Sequence, residues 1–230
     1  MIAILGVGDF GLAMGHAVAR TGRPFCFGAR TPGAVAESVE TLKRQGALKT
    51  CVGVCSIEAA IAAAELVILA VPYSAAAPLV QRIADWAGKT LVDCTNPLKA
   101  GLTGLEVGHN NSAAEEVARH ANNAKVVKAF STLSAYVLEH PTFGTGRAFM
   151  PVCGDDADAR AGVIELGRLM GFDVVDIGPL LHARYIEPYA MLGIQLAVQR
   201  RYGHGFALGV LQRDPVTVAP PQTETPIKRD

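Results

Sequence analysis

The hydrophobic pattern of this chain switches repeatedly between two periods. Short apolar runs bounded by turn residues occur as IAILGV from Ile2, PFCFGA from Pro24, LVILAVP from Leu66, TLVDCTNP from Thr90 and AKVVKAF from Ala124. Continuous runs of this length read as strands buried on both faces, and Pro24 suits a strand's first position. Between them lie stretches with helical spacing: FGLAMGHAVART closed by Gly22, PGAVAESVETLKRQG from Pro32, the alanine-rich Ser56 to Ala64, and a segment from about Ala75 to Ala87. Ser112 to Ala121 adds another, with Ser112 followed three residues later by Glu115 in a capping-box arrangement. Strands alternating with helices over short connections predict an α/β fold, a Rossmann-type doubly wound parallel sheet.

A glycine-rich connection at 143–147 precedes a restart of the pattern: AFMPVCGDD as a strand, DADARAGVIELGRLMG as a helix, FDVVDIGPL as a strand and turn. A last helix runs from roughly Ala183 to Arg200. These features predict a dinucleotide-binding domain over 1–146 and a small C-terminal α/β-helical segment over 147–213, extending the sheet or capping a cleft. The Pro- and Thr-rich tail over 214–230 is expected to be flexible.

Composition narrows the function classes. Apolar residues make up 50% and charged residues 18%, as in a well-packed globular protein. The 21 basic and 21 acidic residues cancel, so no overall field favours nucleic acid or an anionic membrane. The most apolar stretch, Ala59 to Val80, is broken by Glu65, Pro72 and Pro78, which argues against a membrane span. The apolar N-terminus lacks a basic leader region, so a cytoplasmic protein is expected. Five cysteines form no CxxC pair and no metal-ligand spacing, and are expected as buried free thiols with no metal site.

The chemistry sits in the first strand-to-helix turn. Gly6-Val7-Gly8-Asp9-Phe10-Gly11 matches G-x-G-x-x-G directly after a strand and at a helix start. Gly6 allows the tight turn, Gly8 lets backbone approach a pyrophosphate, and Gly11 permits close helix–strand packing. The helix N-terminus offers free N–H groups to the anion. The second strand then selects the dinucleotide. An NAD site places an acid near that strand's end, whereas this chain reads Gly28-Ala29-Arg30-Thr31 with no acid until Glu37. A carboxylate would repel a 2′-phosphate, and a guanidinium can clamp it through two parallel hydrogen bonds. NADP(H) is therefore the expected cofactor, with Thr31 adding a hydroxyl.

GVGDFG, FGART, VVKAF, VCGDD and DIGPL together, in order from Met1 to about Gln195, resemble the NADP-dependent deazaflavin (coenzyme F420) reductases. They equally resemble the soluble oxidoreductase domain of the six-transmembrane epithelial antigen of prostate metalloreductases. The resemblance implies a homodimer and hydride transfer between nicotinamide and a flavin-like ring, coenzyme F420, FAD or FMN, with onward electron transfer to ferric chelates. Carried over by residue, it implies Gly6, Gly8, Asp9, Phe10 and Gly11 at the pyrophosphate and Arg30 with Thr31 at the 2′-phosphate. It puts Val71, Pro72 and Tyr73 beside the nicotinamide ribose, Asn96 and Pro97 at another strand end, and Ala135 at the carboxamide. Ser131, Thr132 and Leu133 would form the floor facing the substrate. Ser131 departs from the family, which often has Asn or His there.

Hydride transfer between stacked rings needs no protein acid, so no catalytic acid–base residue is expected. A rival reading is a Rossmann dehydrogenase or imine reductase with a Lys or His acid. Its candidates are Lys128, read as a strand-end surface residue, and His182, read as a helix-entry residue. A second rival is a non-catalytic NADP sensor. Arg184, Arg200 and Arg201 are available for an acidic acceptor tail, or are solvated helix residues, the more common case. The apolar last helix, Tyr185 to Gly203, fits a subunit contact, a cleft lid or a core helix.

Overall fold

The computed structural model describes residues 1–211, and the tail expected from Asp214 lies outside the described residues. Along the chain run β1 (Ile2–Leu5), α1 (Asp9–Arg20), β2 (Phe25–Ala29), α2 (Pro32–Arg44), β3 (Cys51–Ser56), α3 (Ile57–Ala63), β4 (Leu66–Leu69) and α4 (Tyr73–Val80). There follow β5 (Thr90–Asp93), α5 (Ala113–His120), β6 (Lys125–Lys128), α6 (Ala135–Glu139), and the ribbon β7 (Thr142–Phe143) and β8 (Gly146–Arg147). The described part continues with β9 (Phe149–Gly154), α7 (Ala157–Leu169), β10 (Asp173–Asp176) and α8 (Ala183–Gln199).

Eight strands form one sheet in the order β10-β9-β6-β5-β4-β1-β2-β3. Alternation along β1 explains how the sheet is covered. Ile2 and Ile4 pack into one core layer with Met14 and Val18 of α1, while Ala3 and Leu5 pack into the other with Ala76 and Val80 of α4. The expected doubly wound α/β sheet is thus present. The chain leaves β1 toward one face and β4 toward the other, although these strands are parallel neighbours. That reversal opens a crevice at their C-terminal ends, the usual ligand position in such sheets.

The sheet is parallel except at one joint, where β9 runs antiparallel to β6. The connection from β6 holds only the five-residue α6 and the short ribbon, not a crossover helix. The chain therefore stays at the C-terminal edge and returns in the opposite direction. β10 then pairs parallel to β9 and extends the sheet.

The helix expected over Ala75 to Ala87 is shorter, spanning Tyr73–Val80. Trp86 is fully buried and its indole Nε1–H donates to the Val80 carbonyl at 3.3 Å, using an acceptor that a continuing helix would need. Ser112 caps α5 as expected, accepting from the Glu115 N–H at 3.2 Å.

Candidate functional site

The turn from β1 to α1 is shaped by what a side chain would strike. Gly6 has φ +111°, and a Cβ there would lie 2.3 Å from the Ala70 carbonyl oxygen, where the chain leaves β4. At Gly11 it would lie 2.2 Å from the Gly6 oxygen. Gly8 is different: an added Cβ meets no atom within 4 Å, so the space before it is open. Gly8 is also the N-cap of α1, and no side chain caps that helix. The first N–H groups of α1 are thus left to face an incoming anion.

A cavity of about 630 Å³ occupies the crevice in front of this turn. It brings together the expected residues Gly8, Asp9, Phe10, Gly11, Val71, Pro72, Tyr73 and Asn96. Gly6, half-buried, and Pro97, buried, do not line it. Tyr73 is fixed by donating its hydroxyl to Glu116, and burial together with that carboxylate pushes its pKa up. Arg30 and Thr31 stand apart from this cavity, exposed at the exit of β2 on the same edge of the sheet. Both residues being exposed suits a phosphate arriving from solvent.

A second cavity of about 670 Å³ adjoins the first and shares Asp9, Phe10, Cys94, Asn96 and Leu98 with it. It holds the other expected residues, Ser131, Thr132, Leu133 and Ala135. Its remaining wall is largely apolar, with Leu102, Tyr136, Tyr189, Ile194 and Phe206. At the junction, the Asn96 Nδ2 donates to the Ser131 carbonyl at 2.7 Å. Thr95 Oγ1, Asn96 Oδ1, Ser131 Oγ and Thr132 Oγ1 are buried with no hydrogen-bond partner among the described residues. Buried polar atoms are nearly always paired, so four such atoms beside one crevice fit a polar ligand that completes them. Burial pushes the Cys94 thiol well above its ordinary pKa, which keeps it an apolar lining group.

Two expectations about basic residues are corrected by the structure. Lys128 is not a surface residue: its side chain is 0% exposed. Its ammonium lies 2.9 Å from Asp93 Oδ2, 2.9 Å from Glu187 Oε1 and 2.5 Å from the Thr95 carbonyl. Burial alone would lower its pKa, but the two carboxylates outweigh that and hold it above the ordinary value. Arg184 is not free for an acceptor's acidic tail either. It makes two bonds to Glu115, at 2.9 and 2.7 Å, and so holds that carboxyl below its usual range. Arg200 and Arg201 are exposed, and His182 sits at the start of α8 with its Nδ1 on the Ile177 carbonyl.

Sequence reasoning missed Glu187 and the part of the wall formed by residues 204–208, while α8 lines the second cavity, a cleft position that was one of the placements expected for it. A single acid inside the apolar stretch YIEPYAMLG was the available signal for the first. All five cysteines are free, four of them buried and Cys55 half-buried. Among the described residues no cluster of His, Cys, Asp or Glu could hold a metal ion, and no helix is long and apolar enough to cross a membrane.

Residues 1–97 match the family model described as NADP oxidoreductase, coenzyme F420-dependent. Metalloreductase STEAP3 of Rattus norvegicus is 31% identical over 189 residues, 81% of this chain but 35% of that protein. The chain thus spans about a third of the length of the curated relatives it matches. A hypothetical protein from Sinorhizobium meliloti has a similar structure, with a TM-score of 0.70 and 32% identity over 80% of this chain and 86% of its own. A candidate F420-dependent NADP-reductase from an Arthrobacter species gives a TM-score of 0.73 at 28% identity, covering 92% of this chain and 99% of its own.

Proposed function

We propose that the chain is a coenzyme F420-dependent NADP oxidoreductase, the family whose model matches residues 1–97, and that it moves hydride between NADP(H) and a flavin-like ring, each held in one of two adjoining cavities. The observation that carries this reading is the junction itself. A crevice with a free helix N-terminus leads into an apolar chamber, and unpaired buried polar atoms lie where the two meet.

Gly8 and the first N–H groups of α1 would receive the pyrophosphate, and Arg30 with Thr31 the 2′-phosphate. Val71, Pro72 and Tyr73 would border the nicotinamide ribose, with Pro97 supporting Asn96 from behind. Asn96 and the Ala135 backbone would hold the carboxamide end, above the floor of Ser131, Thr132 and Leu133. When bound, NADPH supplies a hydride from its nicotinamide to the acceptor. The chain's own work is then positional: it holds two flat rings together and excludes water, which can supply about 7–11 kcal/mol in favourable cases. The side chains around the second cavity fit that division of labour, because Asp9 and His204 are the only ordinarily charged or imidazole groups among the described lining.

The dehydrogenase or imine reductase alternative needs a lysine or histidine acid. Lys128 is committed to Asp93, Glu187 and the Thr95 carbonyl, and His182 lines neither cavity. Of the two candidates neither can serve, which leaves His204 in the second cavity as the imidazole that alternative would need. A deazaflavin, FAD or FMN as acceptor, a cytoplasmic setting and a homodimer complete the proposal. Exposed Tyr185, Leu192 and Val198 on α8 support the subunit contact.

Mixing the protein with NADPH and, separately, a deazaflavin, FMN, FAD, a ferric chelate or a cyclic imine tests the reading by nicotinamide absorbance. Turnover with at least one ring acceptor, exceeding that with the imine, is the expected result. Faster turnover with the imine would favour the dehydrogenase class. Tight NADPH binding with no turnover on any acceptor would favour a sensor.

A further inference from the structure

The buried ionic cluster around Lys128 is not used by the hydride-transfer scheme, yet it joins the β5 exit beside the crevice to α8. Asp93 closes β5, Lys128 closes β6, and Glu187 lies on α8, all of them essentially inaccessible to solvent. The Thr95 peptide is gripped at both ends. Its N–H donates to Asp93 Oδ1 at 2.9 Å, and its carbonyl accepts from Lys128 at 2.5 Å. The next residue is Asn96, whose amide holds the Ser131 carbonyl in the floor. Glu187 meanwhile accepts from the Ala113 and Ala114 N–H groups of α5 at 3.0 and 3.2 Å. Two residues further along α8 begins the wall of the second cavity, with Tyr189, Ala190 and Gly193.

We propose that Lys128 is a positioning residue that sets the nicotinamide end of the site, tying the Thr95–Asn96 strand exit to the α8 wall through a single ammonium. The proposal rests on the cofactor reading above for the identity of the ligand. Its physical basis is the geometry of like charges. The ammonium lies between Asp93 and Glu187, and removing it leaves two carboxylates without their shared cation in a dry interior. They must then separate or take up a proton. Separation moves β5's exit or α8, and with or without it the Thr95 carbonyl loses its ammonium donor, which frees the strand exit that carries Asn96. The Gly8 turn and Arg30 lie across β4 and β1 from this cluster, so the phosphate end keeps its shape.

The test compares two ligands that differ in the nicotinamide half. Calorimetric affinities for NADP⁺ and for 2′,5′-ADP are measured for the wild type, Lys128→Met, and the charge-free triple variant Asp93→Asn/Lys128→Met/Glu187→Gln. Lys128→Met is expected to weaken NADP⁺ by about tenfold, the scale of one lost hydrogen bond, and to leave 2′,5′-ADP within about twofold. The triple variant relieves the stranded charge and keeps the protein testable if the single change unfolds it; the same split is expected. Equal weakening of both ligands, or no change in either, would overturn the positioning role. So would loss of folding in both variants, which would make the cluster a stabilising element of the fold. A wild type that binds neither ligand would instead overturn the cofactor reading on which the proposal stands.

Discussion

Arg30→Asp is expected to weaken NADPH binding by about 100-fold while leaving NADH binding within about threefold, a loss of close to 3 kcal/mol confined to the phosphorylated cofactor. The guanidinium emerges at the end of β2, exposed and free to swing, where two parallel N–H groups can meet the 2′-phosphate. Aspartate removes those bonds and adds a negative charge facing the phosphate. It also restores an acceptor that can bond the ribose hydroxyls of NADH, which offsets the loss of the arginine for that cofactor. Because the site is solvent-exposed, the NADPH penalty should shrink as salt is raised. Equal losses for both cofactors, read by calorimetry, would show that Arg30 does not discriminate between them.

Gly8→Val separates the cofactor cradle from the fold that carries it. The backbone at Gly8 is extended, at φ −82° and ψ −176°, which a β-branched residue adopts readily. No atom lies within 4 Å of the added Cβ. Thermal stability should therefore stay within a few degrees of the wild type. The isopropyl group would nevertheless stand in the open space before the α1 N-terminus, the proposed pyrophosphate position. Binding of NADPH and NADH should both fall by about 100-fold or more. Gly11→Ala should do the reverse in kind, costing stability because its Cβ falls 2.2 Å from the Gly6 oxygen. If Gly8→Val bound both cofactors normally, the anion would have to bind elsewhere.

The sequence was most legible where burial on both faces made apolar runs continuous. β1, β2, β4, β5 and β6 are such strands, and they position the glycine turn, Arg30, Val71 and Asn96 along one edge. β3 escaped because it is the edge strand: Val52 is 60% exposed, and the register with β2 shifts beside Cys26. α6 escaped because five residues carry too little helical period. Lys128 was misread for a different reason. A lysine ending a strand is ordinarily solvated, and its carboxylate partners come from β5 and α8, far away in sequence. Arg184 likewise found Glu115 only through the packing of α8 beside α5. Residues 204–208 were beyond pattern reasoning, and for α8 the apolar pattern allowed a cleft lid among three placements without telling which cavity it lines.

The most direct measurement of the central claim follows a label rather than an absorbance. The protein is mixed with NADPH bearing deuterium on either face of the nicotinamide C4, and with an oxidised deazaflavin whose ring carbon retains what it receives. Mass spectrometry of the reduced acceptor reads the outcome. Direct transfer between rings held in adjoining cavities predicts one deuterium in the acceptor from one labelled face and none from the other. Reduced acceptor carrying only solvent hydrogen from both, or no reduced acceptor while NADPH is bound, would contradict it.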